Sequence, residues 1–233
     1  MIPPPVVQFI DGVYVVRDDL IPGGTKRCFA DQLIPHGSEV VYASPVYGGA
    51  QIALAHAAAE RGARATIFCA KRNAAHPRTL EAHTAGAKIV QVPHGYLSNV
   101  KAKAKAYCQK TGAILLPFGL ETPQAFQAIA ERARQAIEQV SQVDQVWCVA
   151  GSGVLARGLQ KGIGACSYHV VQIGRKLSRQ DIGAAIIHEH PLDFAQDAKV
   201  KPPFPSCSNY DAKCWEYIKK HATGRVLFWN VMR

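Results

Sequence analysis

The chain of 233 residues is 48% hydrophobic and 19% charged, the balance of a folded globular protein, which excludes a disordered tail. No apolar run reaches the ~18–20 residues that span a bilayer, and the opening MIPPPVVQFIDG lacks the regions of a secretory signal, so action in the cytoplasm is expected. Lys and Arg number 27 against 17 Asp and Glu, a net charge of +10 that favours an anionic partner: a phosphate cofactor, an acidic substrate or nucleic acid.

In chain order, Glu39–Ala43 (EVVYA) reads as a short buried strand, followed by a Gly-containing turn and an Ala-rich helix, Gln51–Arg61, ended by Gly62. Ala65–Cys69 is the next strand, then a helical stretch over Pro77–Ala85, a strand at Lys88–Val92 and a helix at Asn99–Thr111. Ala113–Pro117 reads as extended; Thr122 then caps a long helix, Pro123–Val140, with proline at its first position. Val146–Ala150 is a further buried strand leading into GSGVLARGLQKG. The proline-rich Lys199–Ser208 reads as a surface loop before a short helix, Ala212–His221, and a final strand, Arg225–Val231. Strands of about five residues alternating with helices predict an α/β protein with an open, mostly parallel twisted sheet or sheets flanked by helices. The chain reads as one unit over 1–233, with a small subdomain at about 44–118.

The basic residues are scattered, as at Lys101, Lys103, Lys105 and Lys110, which also fits a plain solvated surface. Seven cysteines (Cys28, Cys69, Cys108, Cys148, Cys166, Cys207, Cys214) form no CxxC pair and read as reduced, mostly buried thiols. His188-Glu189-His190 has strand-like spacing and reads as an exposed cluster; no metal site is expected.

Three glycine turns carry the candidate chemistry. Gly151-Ser152-Gly153 lies between a strand and a helix, where backbone N–H groups, a helix dipole and a hydroxyl converge on an anion. It matches neither a Walker loop nor a first-strand dinucleotide fingerprint. Pro22-Gly23-Gly24-Thr25-Lys26-Arg27 has a lysine at its exit, and a lysine with a lowered pKa forms a Schiff base with an aldehyde. Tyr47-Gly48-Gly49-Ala50-Gln51 is the third. Each also reads as a structural turn.

The order PGGTKR, ASPVYGGAQIALAHAAAERG, LLPFGLETP, AGSGVLARG and NYDAKCWEYI resembles the tryptophan-synthase-β-like (fold type II) pyridoxal-phosphate enzymes, nearest the 1-aminocyclopropane-1-carboxylate deaminase and D-cysteine desulfhydrase-like branch. The resemblance runs from about Val15 to Trp229 and implies that fold with a reduced small domain, the chain being about a third shorter than expected of the group. It implies pyridoxal 5′-phosphate as cofactor, Lys26 as the lysine holding it in an internal aldimine, and Gly151, Ser152, Gly153 and Val154 as the phosphate cradle. Asp211 would face the pyridine nitrogen, and Tyr210 would orient substrate or relay a proton. The alternative for Asp211 is an N-cap of the following helix. Relatives carry Ser or Thr with Asn in the turn that serves the substrate carboxylate; here Tyr47, Gly48, Gly49 and Gln51 stand in that place, with glycine where asparagine is expected.

The implied activity is a lyase or deaminase that forms an external aldimine with an amino-acid-like amine and cleaves a bond at Cα. Two alternatives accompany it: the same chemistry, decarboxylation included, on an amino-acid-bearing base of phage-type hypermodified DNA, and a degenerate protein that binds the cofactor or another phosphate ligand without turnover. A homodimer is expected by resemblance.

Overall fold

The structure, a computed structural model, describes residues 2–93 and 95–233. In chain order its elements are β1 (Val7–Ile10), β2 (Val13–Arg17), α1 (Arg27–Ala30), β3 (Glu39–Ala43), α2 (Ala50–Glu60), β4 (Arg64–Ala70), α3 (Pro77–Thr84), β5 (Lys88–Val92), α4 (Leu97–Thr111) and β6 (Ile114–Leu115). They continue with α5 (Pro123–Glu138), β7 (Gln145–Ala150), α6 (Val154–Ile163), β8 (Ser167–Gln172), α7 (Arg179–Ile182), β9 (Ile186–Glu189), α8 (Lys213–His221) and β10 (Val226–Asn230). Two compact units result, one of Met1–Thr25 with Ala125–Arg233, the other Lys26–Gln124, broader than the 44–118 segment marked in the sequence.

The first unit is built on a six-stranded sheet in the order β1-β2-β10-β7-β8-β9. Only β1 and β2 pair antiparallel, joined by Asp11-Gly12, both at positive φ (51° and 83°), as a tight hairpin turn requires. Alternate residues Val13 and Val15, Trp147 and Val149, and Val226 and Phe228 point to one face, where α8 presents Cys214, Trp215 and Ile218. On α6, Gly158 and Gly162 let the helix approach α5 closely: a Cβ at 162 would lie 2.3 Å from the Ala130 carbonyl oxygen.

The second unit has a four-stranded parallel sheet, β5-β4-β3-β6. Val40, Val41, Tyr42 and Ala43 are all buried, as expected of a strand covered on both faces. The alanines of α2 are small enough for it to pack against α1, α3 and β4 together. Val100 and Ala104 of α4 are buried on the sheet, while Lys101, Lys103, Lys105 and Lys110 are exposed.

Four strands were not anticipated from the sequence: β1, β2, β8 and β9. β6 is also shorter than Ala113–Pro117. The proline-rich 199–208 segment is a loop, as expected, but not merely a surface one: Phe204 plugs the core of the first unit and Cys207 is buried. Among the described residues no helix is long and apolar enough to cross a membrane.

His188 and His190 are half-buried rather than exposed. His169 stacks on Trp147 (centroids 4.2 Å apart), its Nδ1 lies 3.0 Å from Nε2 of His188, and His190 pairs with Glu216 at 2.8 Å. Burial, then the charges of His188 and His221, lower the His169 pKa to about 4. A histidine depressed below its unfolded value of ~6.5 contributes stability that is present above that value and lost as pH falls toward 4, up to about 3 kcal/mol. Urea unfolding should therefore show stability falling between pH 6.5 and 4, and His169→Phe should flatten that slope while keeping the stack. Gly162→Ala should cost about 1–3 kcal/mol in the same assay, despite alanine's better helix propensity.

Candidate active site

Lys26 follows a turn that is tightly held from the first unit. Asp18, fully buried at the end of β2, accepts hydrogen bonds from Thr25 Oγ1 (2.7 Å), Trp229 Nε1 (3.0 Å) and Arg132 Nε (2.8 Å), and Arg132 Nη2 lies 2.7 Å from it. Asp19 beside it pairs with Arg17. Gly24 sits at φ +65°, where a Cβ would be 2.1 Å from the Val231 carbonyl oxygen, so the turn accepts only glycine. Lys26 itself is half-buried and enters α1 in helical conformation.

The Gly151–Val154 turn joins β7 to α6. Gly153, at φ +86°, caps the helix without a side-chain bond, and its Cβ would strike the Asp181 carbonyl at 1.8 Å. The first N–H of the helix ladder is that of Arg157, donating to Gly153 O, so the N–H groups ahead of it open toward the turn. Tyr210 lies along this turn: a Cβ on Gly151 would meet its hydroxyl at 3.5 Å. Burial, then the Asp211 charge, holds the Tyr210 pKa well above the usual phenol range, so it stays protonated.

Asp211 is fully buried, and its Oδ2 accepts from the Met232 N–H at 3.2 Å. It does not cap α8; the N-cap is Ala212, with no side-chain bond. Burial, and secondarily Asp211, raises the Cys148 thiol to about 12, which makes it an inert core group. Gly151, Ser152, Gly153, Val154, Tyr210 and Asp211 thus all belong to the first unit.

In the second unit, Gly48 and Gly49 lead into α2, and Gln51 is fully buried with its amide donating to Val46 O (3.0 Å) and Gly48 O (2.9 Å). Its amide N–H donors are engaged in bracing the turn, a structural use the sequence reading had not assigned. Tyr47 meets the edge of His76 with centroids 4.9 Å apart, and its carbonyl accepts from Arg78 Nη1 at 3.0 Å. The sequence reading singled out neither Asp18 in the first unit nor Arg78 in the second. Neither lies in a glycine motif, and only pairing across the fold reveals them.

The residues present suit an aldehyde cofactor bearing a phosphate: a helix N-terminus opened by glycines, a buried carboxylate in the same unit and a primary amine on a fixed turn. The comparisons agree. The chain matches the pyridoxal-phosphate dependent enzyme family over residues 11–200 and belongs to it. Its fold is that of an ACC deaminase homologue, with TM-score 0.82 at 14% identity, covering 99% of this chain and 90% of that one. It is also similar to diaminopropionate ammonia lyase from Escherichia coli (TM-score 0.72, 16% identity, 98% and 82% covered). A third relative is threonine deaminase isoform 2 from Solanum lycopersicum (TM-score 0.69, 12% identity, 98% and 83% covered). No curated protein matches by sequence.

Removing the Asp18 carboxylate leaves Arg132 buried and uncompensated. Asp18→Ala should cost about 3–5 kcal/mol in chemical denaturation, against well under 1 kcal/mol for the exposed pair Lys219–Asp11 broken by Asp11→Ala.

Proposed function

We propose that this protein is a pyridoxal-phosphate-dependent lyase of the deaminase or elimination type, acting at Cα of an amino-acid-like amine. When bound, the cofactor supplies an electron sink for the pair released at the substrate Cα. The observation that carries the reading is the opened α6 N-terminus in one unit with a protonated tyrosine and a buried carboxylate. The lyase and deaminases among the structural relatives support the same class of reaction.

Each residue then has a defined task. Lys26 Nζ would hold the cofactor through its aldehyde group and would serve as the base toward the substrate Cα. The N–H groups at Gly151–Val154 bind the phosphate dianion. Asp211, buried in the same unit, would pair with the cofactor's pyridine nitrogen and favour its protonated form. Tyr210 Oη, kept as a phenol by its surroundings, donates a hydrogen bond to the substrate or its leaving group.

The protein incubated with pyridoxal phosphate should absorb in the visible, and borohydride should leave the pyridoxyl mass on the peptide containing Lys26. Lys26→Ala should abolish both signals while its circular dichroism stays unchanged. A colourless protein, or an adduct on another lysine, would overturn the reading.

One observation favours a polymeric substrate as a second reading. Helix α4 exposes Lys101, Lys103, Lys105 and Lys110 and contains no acidic residue, a face suited to a phosphate backbone. Duplex DNA should then bind at low ionic strength and be released steeply as salt rises; no binding at low salt removes this alternative.

A further inference from the structure

We infer that Lys213 is a positioning residue for Tyr210: from the start of α8 it pins the segment 189–196, whose Phe194 packs on the Tyr210 ring and keeps that phenol at the Gly151 turn. The inference deepens the pyridoxal-phosphate reading above and rests on it in one respect, that Tyr210 meets the substrate. Lys213 is fully buried, which is rare for a lysine without a carboxylate partner. Its Nζ donates to the Asp193 carbonyl at 2.7 Å, and among the described residues no carboxylate is ion-paired with it. Burial lowers its pKa, against the weaker opposing pull of Cys207, Asp197 and Asp193.

Withdrawing an ammonium from water for one carbonyl is costly, and an unbranched apolar side chain such as methionine would be cheaper to bury there. What the ammonium supplies and methionine cannot is direction, because it fixes one peptide unit of the chain that follows β9. Two further bonds tie the same segment to α8. Tyr217 Oη donates to the Glu189 carbonyl at 2.8 Å, and His190 Nε2 lies 2.8 Å from Glu216 Oε1. Within the segment the Leu192 N–H donates to His190 Nδ1 (3.1 Å), and the Gln196 N–H donates to the Asp193 carbonyl that Lys213 holds (3.0 Å).

Lys213 is the fastening next to Phe194. The Phe194 and Tyr210 rings lie 5.5 Å apart at 47°, and both pack on the core of the first unit. The Lys213 backbone N–H also donates to the Tyr210 carbonyl at 3.1 Å. One residue thus holds the tyrosine twice, its main chain directly and its ring through Asp193 and Phe194. The Tyr210 hydroxyl reaches the Val149 carbonyl only at 3.5 Å, the outer limit of a hydrogen bond. Packing of the ring therefore has the larger share in setting where the phenol stands.

The test uses the full chain and N-acetylimidazole, which acetylates reachable tyrosine hydroxyls, each site being followed by peptide mass spectrometry. Tyr168, buried in the same unit with its hydroxyl bonded to the Gly164 carbonyl, is the internal reference. Lys213→Met should raise the Tyr210-to-Tyr168 acetylation ratio by about 3- to 10-fold, the weight of one aromatic contact, while the urea midpoint stays level or rises. Phe194→Ala, which leaves α8 untouched, should raise the ratio by a similar factor, and adding Lys213→Met to it should give little further rise. An unchanged ratio in either variant would overturn the inference. So would equal acceleration at both tyrosines, or a Lys213→Met chain that fails to fold, since each marks the lysine as a general structural residue. The ratio needs no cofactor: a colourless protein would strike the reading above, while the two tyrosines still decide this inference.

Discussion

A single buried carboxylate organises the start of this enzyme. Asp18 takes hydrogen bonds from the long helix α5 through Arg132, from the last strand through Trp229 and from the glycine turn through Thr25. An isolated carboxylate at that depth costs many kcal/mol, so it is stable there only while all three partners are present. Segments far apart in sequence therefore assemble together, and the residue that follows Thr25 inherits a fixed backbone. A lysine has four rotatable side-chain bonds; anchoring its neighbour limits where its amine can search.

Close backbone approach is the second organising constraint, and it explains why glycines cluster where they do. At Gly24 and Gly153 the obstacle to a side chain is a carbonyl oxygen, which cannot rotate away, and both positions are also at positive φ. Gly153 stands at the head of α6, where the first N–H groups of the helix have no carbonyl of the preceding turn to bond. Gly162 shows the structural counterpart: helix contact without any ligand. The glycine letters alone do not separate these uses: at all three positions the atom across the gap is a backbone carbonyl oxygen, and what differs at Gly153 is its place at the head of a helix.

Part of the architecture was legible because a parallel strand buried on both faces reads as a continuous apolar run, as at Glu39–Ala43, and the limits of the edge strand Lys88–Val92, with Lys88 and Gln91 exposed, coincide as well. The overlooked elements had weaker local signals. In β8, SYHVVQ places a histidine and a tyrosine among its apolar residues, and only stacking on Trp147 makes His169 a core residue. The β1–β2 hairpin did carry a signal, Asp-Gly between alternating apolar residues, which went unused beside the stronger glycine motifs. Of the candidate site, Lys26, the Gly151–Val154 turn and Asp211 each sit in a short contiguous pattern, which is why the motif order singles them out. Asp18 and Arg78 were invisible for the opposite reason: their meaning comes from partners 114 residues away in one case and 31 in the other.

Charge ties the parts together. Acidic residues are few, and two of them, Asp18 and Asp19, are neutralised internally by Arg132 and Arg17. Asp211 is withdrawn from the surface altogether. The buried charges nearly cancel, Arg17, Arg27, Arg132 and Lys213 against Asp18, Asp19 and Asp211, so the surface keeps almost all of the net +10, and α4 carries four exposed lysines and no acid. Such a basic surface raises the local concentration of anions before any specific bond forms. Long-range attraction of this kind does not discriminate among anions, however. Discrimination requires groups of fixed geometry, such as the turn at the head of α6 that Gly153 holds against the Asp181 carbonyl.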